Sequence, residues 1–207
     1  MIFEEMCHAV AKNNLVRACS GNVSQRYNDN SFLITRSGCW LENVSKLDIV
    51  ECNLKDNKVI ENFLDYKPSS EILMHSMILN TRPDINVVLH FQSTYVTILA
   101  CKRFFPIFDL NVIPEIPCYI DSVDIVEFEI PGSLQLAKAV TEKICKNDLV
   151  ILQNHGAVVV GKSLEETLEK AIFFEFACEI MFKNDHNIRE INKKDFLKIR
   201  EIKNVKH

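Results

Sequence analysis

The sequence lacks the features that mark a nucleic-acid-binding, membrane or exported protein. Its 24 Lys and Arg are outnumbered by 28 Asp and Glu, which gives a formal net charge of -4, whereas a general binder of phosphate backbones is expected to be basic. No apolar run approaches the roughly 20 residues that span a bilayer. Glu4 and Glu5 stand where a signal peptide would carry positive charge. We therefore expect a soluble cytoplasmic protein that binds neither nucleic acid nor membrane.

The sequence also lacks a CxxC pair, an internal repeat and a low-complexity linker, although it has eight cysteines. Most cysteines have apolar neighbours, as in Ala100-Cys101 and Ala177-Cys178. This pattern favours buried free thiols over a disulfide framework or a thiolate metal cluster. The length of 207 residues fits one domain. We predict a single domain over residues 1–207, in which 184–207 form a C-terminal tail, either as a solvated helix or as a frayed, mobile segment.

Strand and helix patterns are mixed along the chain rather than strictly alternating. This mixture predicts an α/β fold with a mixed central sheet that helices cover on both faces. Helices are predicted near 3–13, from a start at 67–71 to about 80, and near 95–101, 134–144 and 163–183. Strands are predicted near 23–27, 31–35, 48–53, 87–90, 149–152 and 157–160, and Pro114 and Pro117 are expected to break the segment 107–120.

Four polar side chains stand at predicted element ends where they could bind a divalent metal. His90 and Gln92 lie two residues apart in an extended run, so their side chains share one face. His155 occupies a tight Asn-His-Gly turn after a buried strand, and Glu71 is expected in the first turn of a helix. Two imidazoles, a carboxylate and an amide oxygen make a plausible metal site with an open position. A structural role for the histidines is the alternative, since a lone histidine on an apolar strand is more often a core residue.

Three turns rich in Ser and Gly offer backbone N–H groups and hydroxyls that suit an anion. The last of them coincides with a predicted helix N-terminus. For each turn taken alone, a capping or turn function is the simpler interpretation. The turns are Ser20-Gly21-Asn22, Ser37-Gly38 and Ser69-Ser70.

Taken together, five segments resemble the class II aldolase/adducin family, in that family's order and at about its spacing. The resemblance covers nearly the whole chain, from the first helix to the helix that ends near Phe182. Each motif is weak alone, but five in register are strong evidence for the fold. The segments are 21–26 (GNVSQR), 33–38 (LITRSG), 68–71 (PSSE) with His75, 82–90 (RPDINVVLH) and 154–156 (NHG).

The resemblance implies a role for each matching position. The metal ligands would be His90, residue 92 and His155, the metal would be Zn²⁺ or else Mn²⁺ or Mg²⁺, and Glu71 would be the acid/base carboxylate. Members of the family are typically cyclic homotetramers with the site between subunits, and some use a tyrosine as a proton donor, for which Tyr119 is the candidate here. The phosphate of the substrate would be held by the three turns, through Gly21, Asn22, Ser37, Gly38, Ser69 and Ser70.

The chain departs from the family pattern at two places. The family has His-x-His where this chain has His90-Phe91-Gln92, and Gln ligates only through a neutral amide oxygen. Three outcomes stay open: Gln92 completes a weaker site, Mn²⁺ or Mg²⁺ with additional water replaces zinc, or the site holds no ion. The second departure is the tail 183–207, which has no tyrosine.

The expected function is that of a metal-dependent aldolase, a carbon–carbon lyase. The resemblance implies retro-aldol cleavage of a small ketose 1-phosphate through a metal-stabilised enediolate, because the Ser-Ser-Glu form is typical of the aldolase branch. Two alternatives stay open. One is a non-catalytic, adducin-like binding module with a degenerate metal site. The other is a sugar-phosphate epimerase or dehydratase on the same scaffold.

Overall fold

The computed structural model describes residues 1–61, 64–102, 110–120, 122–184 and 188–206. A sheet of eight strands forms the centre of this described part. All neighbouring strands pair antiparallel except β6 and β7, which are parallel, so the sheet is mixed as predicted. The strands are β1 (Asn22–Arg26), β2 (Ser31–Thr35), β3 (Ile49–Asn53), β4 (Val59–Glu61), β5 (Val87–Phe91), β6 (Val123–Val126), β7 (Leu149–Leu152) and β8 (Gly156–Gly161), in the order β4-β3-β2-β1-β5-β8-β7-β6.

Helices cover both faces of the sheet, as the sequence predicts. One face packs under α2 and α5, and the other under α1, α3, α4 and α6, so that two hydrophobic cores lie back to back. The helices are α1 (Phe3–Lys12), α2 (Ile72–Thr81), α3 (Thr94–Ala100), α4 (Glu115–Tyr119), α5 (Leu134–Ile144), α6 (Leu164–Lys183) and α7 (Lys193–Lys206), with short 3₁₀ turns at Leu41–Asn43 and Lys46–Asp48.

Strand β5 contributes side chains to both hydrophobic cores. All five of its residues are buried, which explains its continuous apolar run, because a strand covered on both faces has no polar side. Val87 and Leu89 point into the core beneath α6, whereas Val88 points into the core beneath α2. His90 follows Val88 by two residues and therefore lies on the α2 side. The alternation of β5 thus decides on which face of the sheet the candidate site forms.

Several predicted bounds agree with the structure, and two local predictions are wrong. Helix α2 begins at Ile72, and Glu71 is its N-cap residue rather than part of its first turn. Pro117 lies within α4 and does not break it, because a proline in the first helical turn removes no internal hydrogen bond. The stretch 107–109 of that prediction lies outside the described residues. Strands β4 and β6 were not predicted.

The C-terminal tail, predicted as a solvated helix or a frayed segment, is largely helical in the described residues. Residues 193–206 form a helix that contacts α4, and Ile191 N donates to the carbonyl of Asn111 at 2.7 Å.

All eight cysteines are free, as predicted, but Cys19, Cys101 and Cys145 are exposed rather than buried. No helix in the described part of the chain is long and apolar enough to cross a membrane.

Helix α3, which follows directly after Gln92 and Ser93, is held at its N-terminus by Glu175 of α6. The Glu175 carboxylate accepts from the Ser93 hydroxyl at 2.6 Å and from the backbone N–H groups of Tyr95 and Val96 at 2.9 Å each. First-turn N–H groups have no partner within a helix, and a carboxylate there is also favoured by the helix dipole. Glu175 therefore fixes the segment that carries Gln92.

We expect Glu175→Gln to lower the free energy of unfolding by about 1–3 kcal/mol, because an amide replaces a carboxylate that accepts three hydrogen bonds. Urea denaturation measures the change. Glu179→Gln is the matched control, since Glu179 pairs with Lys183 on the same helix at a more exposed position and should cost less than about 1 kcal/mol. Equal losses in the two variants would mean that Glu175 does not anchor α3.

Candidate metal centre

The structure brings Glu71, His90 and His155 together from three separate elements. Glu71 caps α2, His90 lies near the end of β5, and His155 lies in the turn between β7 and β8. The Nε2 atom of His90 lies 3.4 Å from Glu71 Oε2, and that of His155 lies 3.9 Å from Glu71 Oε1. One potential ligand atom of each residue lies within 4.8 Å of the other two. The three side chains therefore form a single cluster that could hold one metal ion.

The imidazole of His90 is oriented by the neighbouring strand. Its Nδ1 lies 3.0 Å from the carbonyl oxygen of Ala157, and since a carbonyl only accepts, Nδ1 carries the proton. In the neutral ring, Nε2 then keeps a lone pair that faces Glu71 and His155. A histidine that binds metal usually donates its other ring N–H in this way, which fixes the tautomer.

Gln92 lies beside His90, as the two-residue spacing predicts, although β5 ends at Phe91. Its Nε2 is 3.4 Å from His90 Nε2, so the amide NH₂ donates to the imidazole lone pair. A half-turn of the amide would bring its oxygen to the same place. Gln92 is thus within reach of the cluster, but its amide nitrogen now stands where a ligand oxygen would be needed.

Two atoms of the cluster are buried without a hydrogen-bond partner among the described residues: Glu71 Oε1 and His155 Nδ1. An unsatisfied buried polar atom costs about 1–3 kcal/mol, so native proteins keep few of them. Glu71 Oε1 faces His155 Nε2, so an ion bound between the side chains would satisfy this oxygen, whereas His155 Nδ1 lies on the other side of its ring. The set of one carboxylate and two imidazoles also matches the ligands that a divalent transition metal prefers. The residues present therefore fit a divalent cation.

Burial and the neighbouring titratable groups together shift the pKa values of Glu71 and His155. Burial raises the pKa of Glu71, but His90, His155 and the Asn22 amide together lower it further, so its net pKa lies below the ordinary value. Burial and the adjacent His90 lower the pKa of His155, and Glu71 only partly opposes them. Near neutral pH the cluster thus presents a carboxylate and a neutral imidazole, which are the forms that ligate metals.

Behind Glu71 runs a chain of buried hydrogen bonds that was not predicted from the sequence. Asn22 Nδ2 donates to Glu71 Oε2 at 3.3 Å, His75 Nε2 lies 2.5 Å from Asn22 Oδ1, and the Ser24 hydroxyl lies 2.6 Å from His75 Nδ1. All four residues are buried. Ser24 and His75 stand within the segments that resemble the family, but no motif assigned them a role. The spacing of 22 and 24 on a strand and of 71 and 75 on a helix was the available signal.

The buried His75 should make the protein less stable in acid. Burial, the largest cause, lowers its pKa from 6.5 to about 3, although Glu71 acts in the opposite direction. Below pH 6.5 the unfolded chain binds a proton that the folded chain does not, so stability falls as the pH drops from about 6.5 towards 3. The contribution approaches about 1.4 kcal/mol per pH unit.

Between pH 7 and pH 5 we expect His75 to account for a loss of about 2 kcal/mol in the free energy of unfolding. Urea denaturation of chelator-treated protein measures this loss, and His75→Gln, which has no imidazole to protonate, is the comparison that isolates it. The same pH dependence in both proteins would mean that His75 is not the residue responsible.

Two of the three predicted anion-binding turns are joined to each other next to Glu71. Ser37 N donates to the carbonyl of Lys67 at 2.8 Å, and Ser69 N donates to that of Thr35 at 3.0 Å. Ser69 is buried and its hydroxyl accepts from Glu71 N at 3.3 Å. Ser37, Gly38 and Ser70 are exposed. The exposed groups of these turns, together with Ser69, thus form one continuous edge beside the cluster.

Two glycines allow the backbone to approach the site closely. Gly21 has a φ of +76°, and a Cβ there would lie 2.5 Å from Val16 Cγ1 and 2.8 Å from the carbonyl oxygen of His90. At Gly156 a Cβ would clash with the carbonyl oxygen of Phe91 and lie 2.9 Å from Gln92 Cγ. Gly21, predicted to contact phosphate, therefore has a packing role, and Gly156 makes room for Gln92.

Tyr119, the candidate proton donor, lies on the other face of the sheet. It packs against Phe173 of α6 with the ring centroids 5.0 Å apart, and it borders the core beneath α1 and α6. Burial and then Glu169 raise its pKa. Within one chain the structure does not bring Tyr119 to Glu71, and its catalytic role stays a prediction.

The chain belongs to the class II aldolase and adducin family, because the profile of the Class II Aldolase and Adducin N-terminal domain matches residues 3–182. This confirms the family that the five segments indicated. The L-fuculose phosphate aldolase of Methanococcus maripaludis is 31% identical over 183 residues, which cover 87% of this chain and 93% of the relative. It is the kind of aldolase that the Ser-Ser-Glu motif favours.

A second kind of relative carries a different activity in its name. The 3-oxo-tetronate 4-phosphate decarboxylase of Escherichia coli is 27% identical over 186 residues, covering 87% of this chain and 85% of the relative. Among solved structures, a putative aldolase/epimerase/decarboxylase from Klebsiella pneumoniae superposes with a TM-score of 0.87 at 22% identity and covers 95% of each chain. That likeness confirms the predicted fold, a single α/β domain.

Proposed function

We propose that the protein is a metal-dependent lyase that cleaves a small ketose 1-phosphate by a retro-aldol reaction. The observation that carries the proposal is the convergence of Glu71, His90 and His155, with the unsatisfied buried oxygen Oε1 of Glu71 facing His155. A relative 31% identical to this chain is named L-fuculose phosphate aldolase. Zn²⁺ is the first candidate for the metal, with Mn²⁺ or Mg²⁺ as alternatives.

His90 and His155 would hold the ion through their imidazoles, and Gln92 would add its amide oxygen after a half-turn. When bound, a divalent cation acts as a Lewis acid that lowers the energy of negative charge developing on the substrate's oxygens. Glu71, ionised near neutral pH, is placed to move the proton to and from the reacting carbon. Because Glu71 and His90 are buried, little solvent would reach this proton transfer.

The joined turns beside Glu71 would receive the phosphate of the substrate. Ser37, Gly38 and Ser70 are exposed there, and a Cβ at Gly38 would meet no heavy atom within 4 Å, so the edge is open to a ligand. Ser69 and Ser70 also lie just before Glu71, the N-cap residue of α2, and the N-terminal N–H groups of a helix favour an anion. Holding the phosphate at this edge would fix the reacting atoms against Glu71.

A decarboxylase is the second candidate function, because several relatives carry that activity in their names. Decarboxylation next to a carbonyl also leaves negative charge that a metal ion would stabilise. An epimerase or dehydratase on this scaffold stays an alternative, as does a non-catalytic binding module.

We further propose that the protein is a cytoplasmic homotetramer. Its mass measured by light scattering would then be four times that of the 23.8 kDa chain.

A product assay on the purified protein separates these functions. A panel of ketose 1-phosphates is incubated with the protein in the presence of Zn²⁺, Mn²⁺ or Mg²⁺, and dihydroxyacetone phosphate is detected by enzymatic reduction. Release of dihydroxyacetone phosphate that a chelator abolishes is the expected result. Release of CO₂ from a 3-oxo acid phosphate would favour the decarboxylase, and no turnover of either substrate class with any metal would favour the binding module.

A further inference from the structure

We propose that His75 is a positioning residue for the reaction of Glu71, acting through Asn22. This inference rests on the proposed function, since it assigns a residue to that reaction. His75 is fully buried, does not belong to the metal cluster, and contacts Asn22 and Ser24 through its two ring nitrogens. Its action would be to hold the Asn22 amide in the one orientation that supports the Glu71 carboxylate.

The fold places the four residues of this hydrogen-bonded chain in line. Ser24 and Asn22 lie two residues apart on β1, so both side chains point to the α2 side of the sheet. Asn22 pairs directly with His90 across β1 and β5. His75 lies one helical turn after Glu71, so the two side chains stand on the same side of α2. Helix α2 thus presents the carboxylate and the imidazole to the same strand.

Every hydrogen bond among these four residues has only one possible direction. A carboxylate oxygen only accepts, so Asn22 must turn its NH₂ group towards Glu71 Oε2. The amide oxygen of Asn22 then faces His75, which must donate from Nε2. A neutral imidazole with its proton on Nε2 accepts at Nδ1, and the Ser24 hydroxyl donates to that nitrogen. The hydrogen bonds run from Ser24 through His75 and Asn22 to Glu71, with each of these contacts satisfied.

Without His75 the Asn22 amide would lose the donor that selects its orientation. Its oxygen could then turn towards the Glu71 carboxylate, where two acceptors repel each other, and Glu71 Oε2 would lose a donor. The carboxylate would rotate more freely about its last bond. A misplacement of about 1 Å at the reacting group is enough to reduce turnover roughly 100-fold. The expected effect is therefore on the chemical step rather than on substrate affinity.

The test compares His75→Phe, which removes both hydrogen bonds, with His75→Gln, whose amide retains a donor for Asn22. We expect His75→Phe to lower kcat by about 10–100-fold and to change KM less than threefold, with metal content unchanged. His75→Gln should recover most of the lost kcat. Ser76→Ala is the matched control, because Ser76 is a buried neighbour on α2 whose hydroxyl donates to the Leu73 carbonyl, and its kcat should stay within twofold of wild type.

A second measurement does not depend on turnover. Nitrogen-15 NMR of the wild-type protein should show His75 as a neutral imidazole protonated at Nε2, and a shifted Asn22 side-chain amide signal that moves in His75→Phe. Should His75→Phe fail to fold, Ser24→Ala takes its place, since it removes the donor to Nδ1 and is expected to mix the two His75 tautomers. If the wild type cleaves no ketose phosphate, the proposed function fails, and the inference is then judged on these signals.

Two results would overturn the inference. One is a well-folded His75→Phe whose kcat lies within twofold of wild type. The other is an Asn22 amide signal that is unchanged when His75 is replaced, because the imidazole would then not orient the amide.

Discussion

Glu71→Gln is expected to reduce kcat/KM by about 100- to 10,000-fold while the chain stays folded, since that is the usual contribution of a general acid/base. Glutamine has nearly the shape of glutamate but cannot take up the proton that the reaction must move. Glu71 is buried, with both histidine Nε2 atoms within 4 Å of its carboxylate oxygens. Because Glu71 is buried beside both histidines, the loss of its carboxylate is expected to have a large effect on kcat/KM.

Steady-state kinetics with the best ketose 1-phosphate measure this loss, and circular dichroism checks the fold. Glu42→Gln is the control, because Glu42 lies in an exposed 3₁₀ turn and its replacement should leave kcat/KM unchanged. Glu71→Gln with more than a tenth of the wild-type activity would remove Glu71 from the proton transfer.

Gln92→His is expected to bind zinc about tenfold more tightly than wild type, or tighter still. Loss of a group that only supports a metal ligand typically lowers metal affinity 10–100-fold, so a new direct ligand should have an effect at least as large. The change replaces a neutral amide, whose nitrogen lies 3.4 Å from His90 Nε2, with a third imidazole, a ligand that zinc prefers. It also restores the His-x-His pattern of the family. The position of Gln92, fixed by Gly156 and by α3, should suit the new ligand.

Competition with a chromophoric zinc chelator measures the two dissociation constants. Gln92→Ala is the companion variant, and its zinc affinity should be no higher than that of wild type. Equal affinities in wild type and Gln92→His would mean that residue 92 does not reach the ion, and that His90 and His155 hold it without a ligand at that position.

The local sequence pattern was enough to predict helices and strands whose structure depends mainly on their own residues. The buried strand at 149–152 and the capped helix at 134–144 have the predicted bounds, because Ser133 caps the helix as its position indicates. Ser163 likewise accepts from Glu166 N, although the Glu166 carboxylate returns to Lys162 N rather than to Ser163 N as a capping box requires. Edge strands β4 and β6 escaped prediction, since all of β4 is exposed and three of the four residues of β6 are only half-buried.

The sequence predicted which residues could lie at the candidate site, but not the strand pairing and hydrogen bonds that join them to their neighbours. The positions of Glu71, His90 and His155 at element ends predicted a cluster, and the structure brings these three together. The pairing of Asn22 with His90, by contrast, depends on which strands become neighbours across the sheet, and no single segment encodes that choice. From the sequence, His75 is therefore one residue of an apolar helix, although it lies directly behind the carboxylate.

Elemental mass spectrometry of the purified, tag-free protein and of His155→Ala tests the central claim most directly. We predict about one zinc or manganese ion per chain in the wild type and its loss in the variant, with both proteins folded. Absence of stoichiometric metal from the wild type, even after reconstitution with zinc and manganese, would contradict the aldolase mechanism and leave the fold as a binding module.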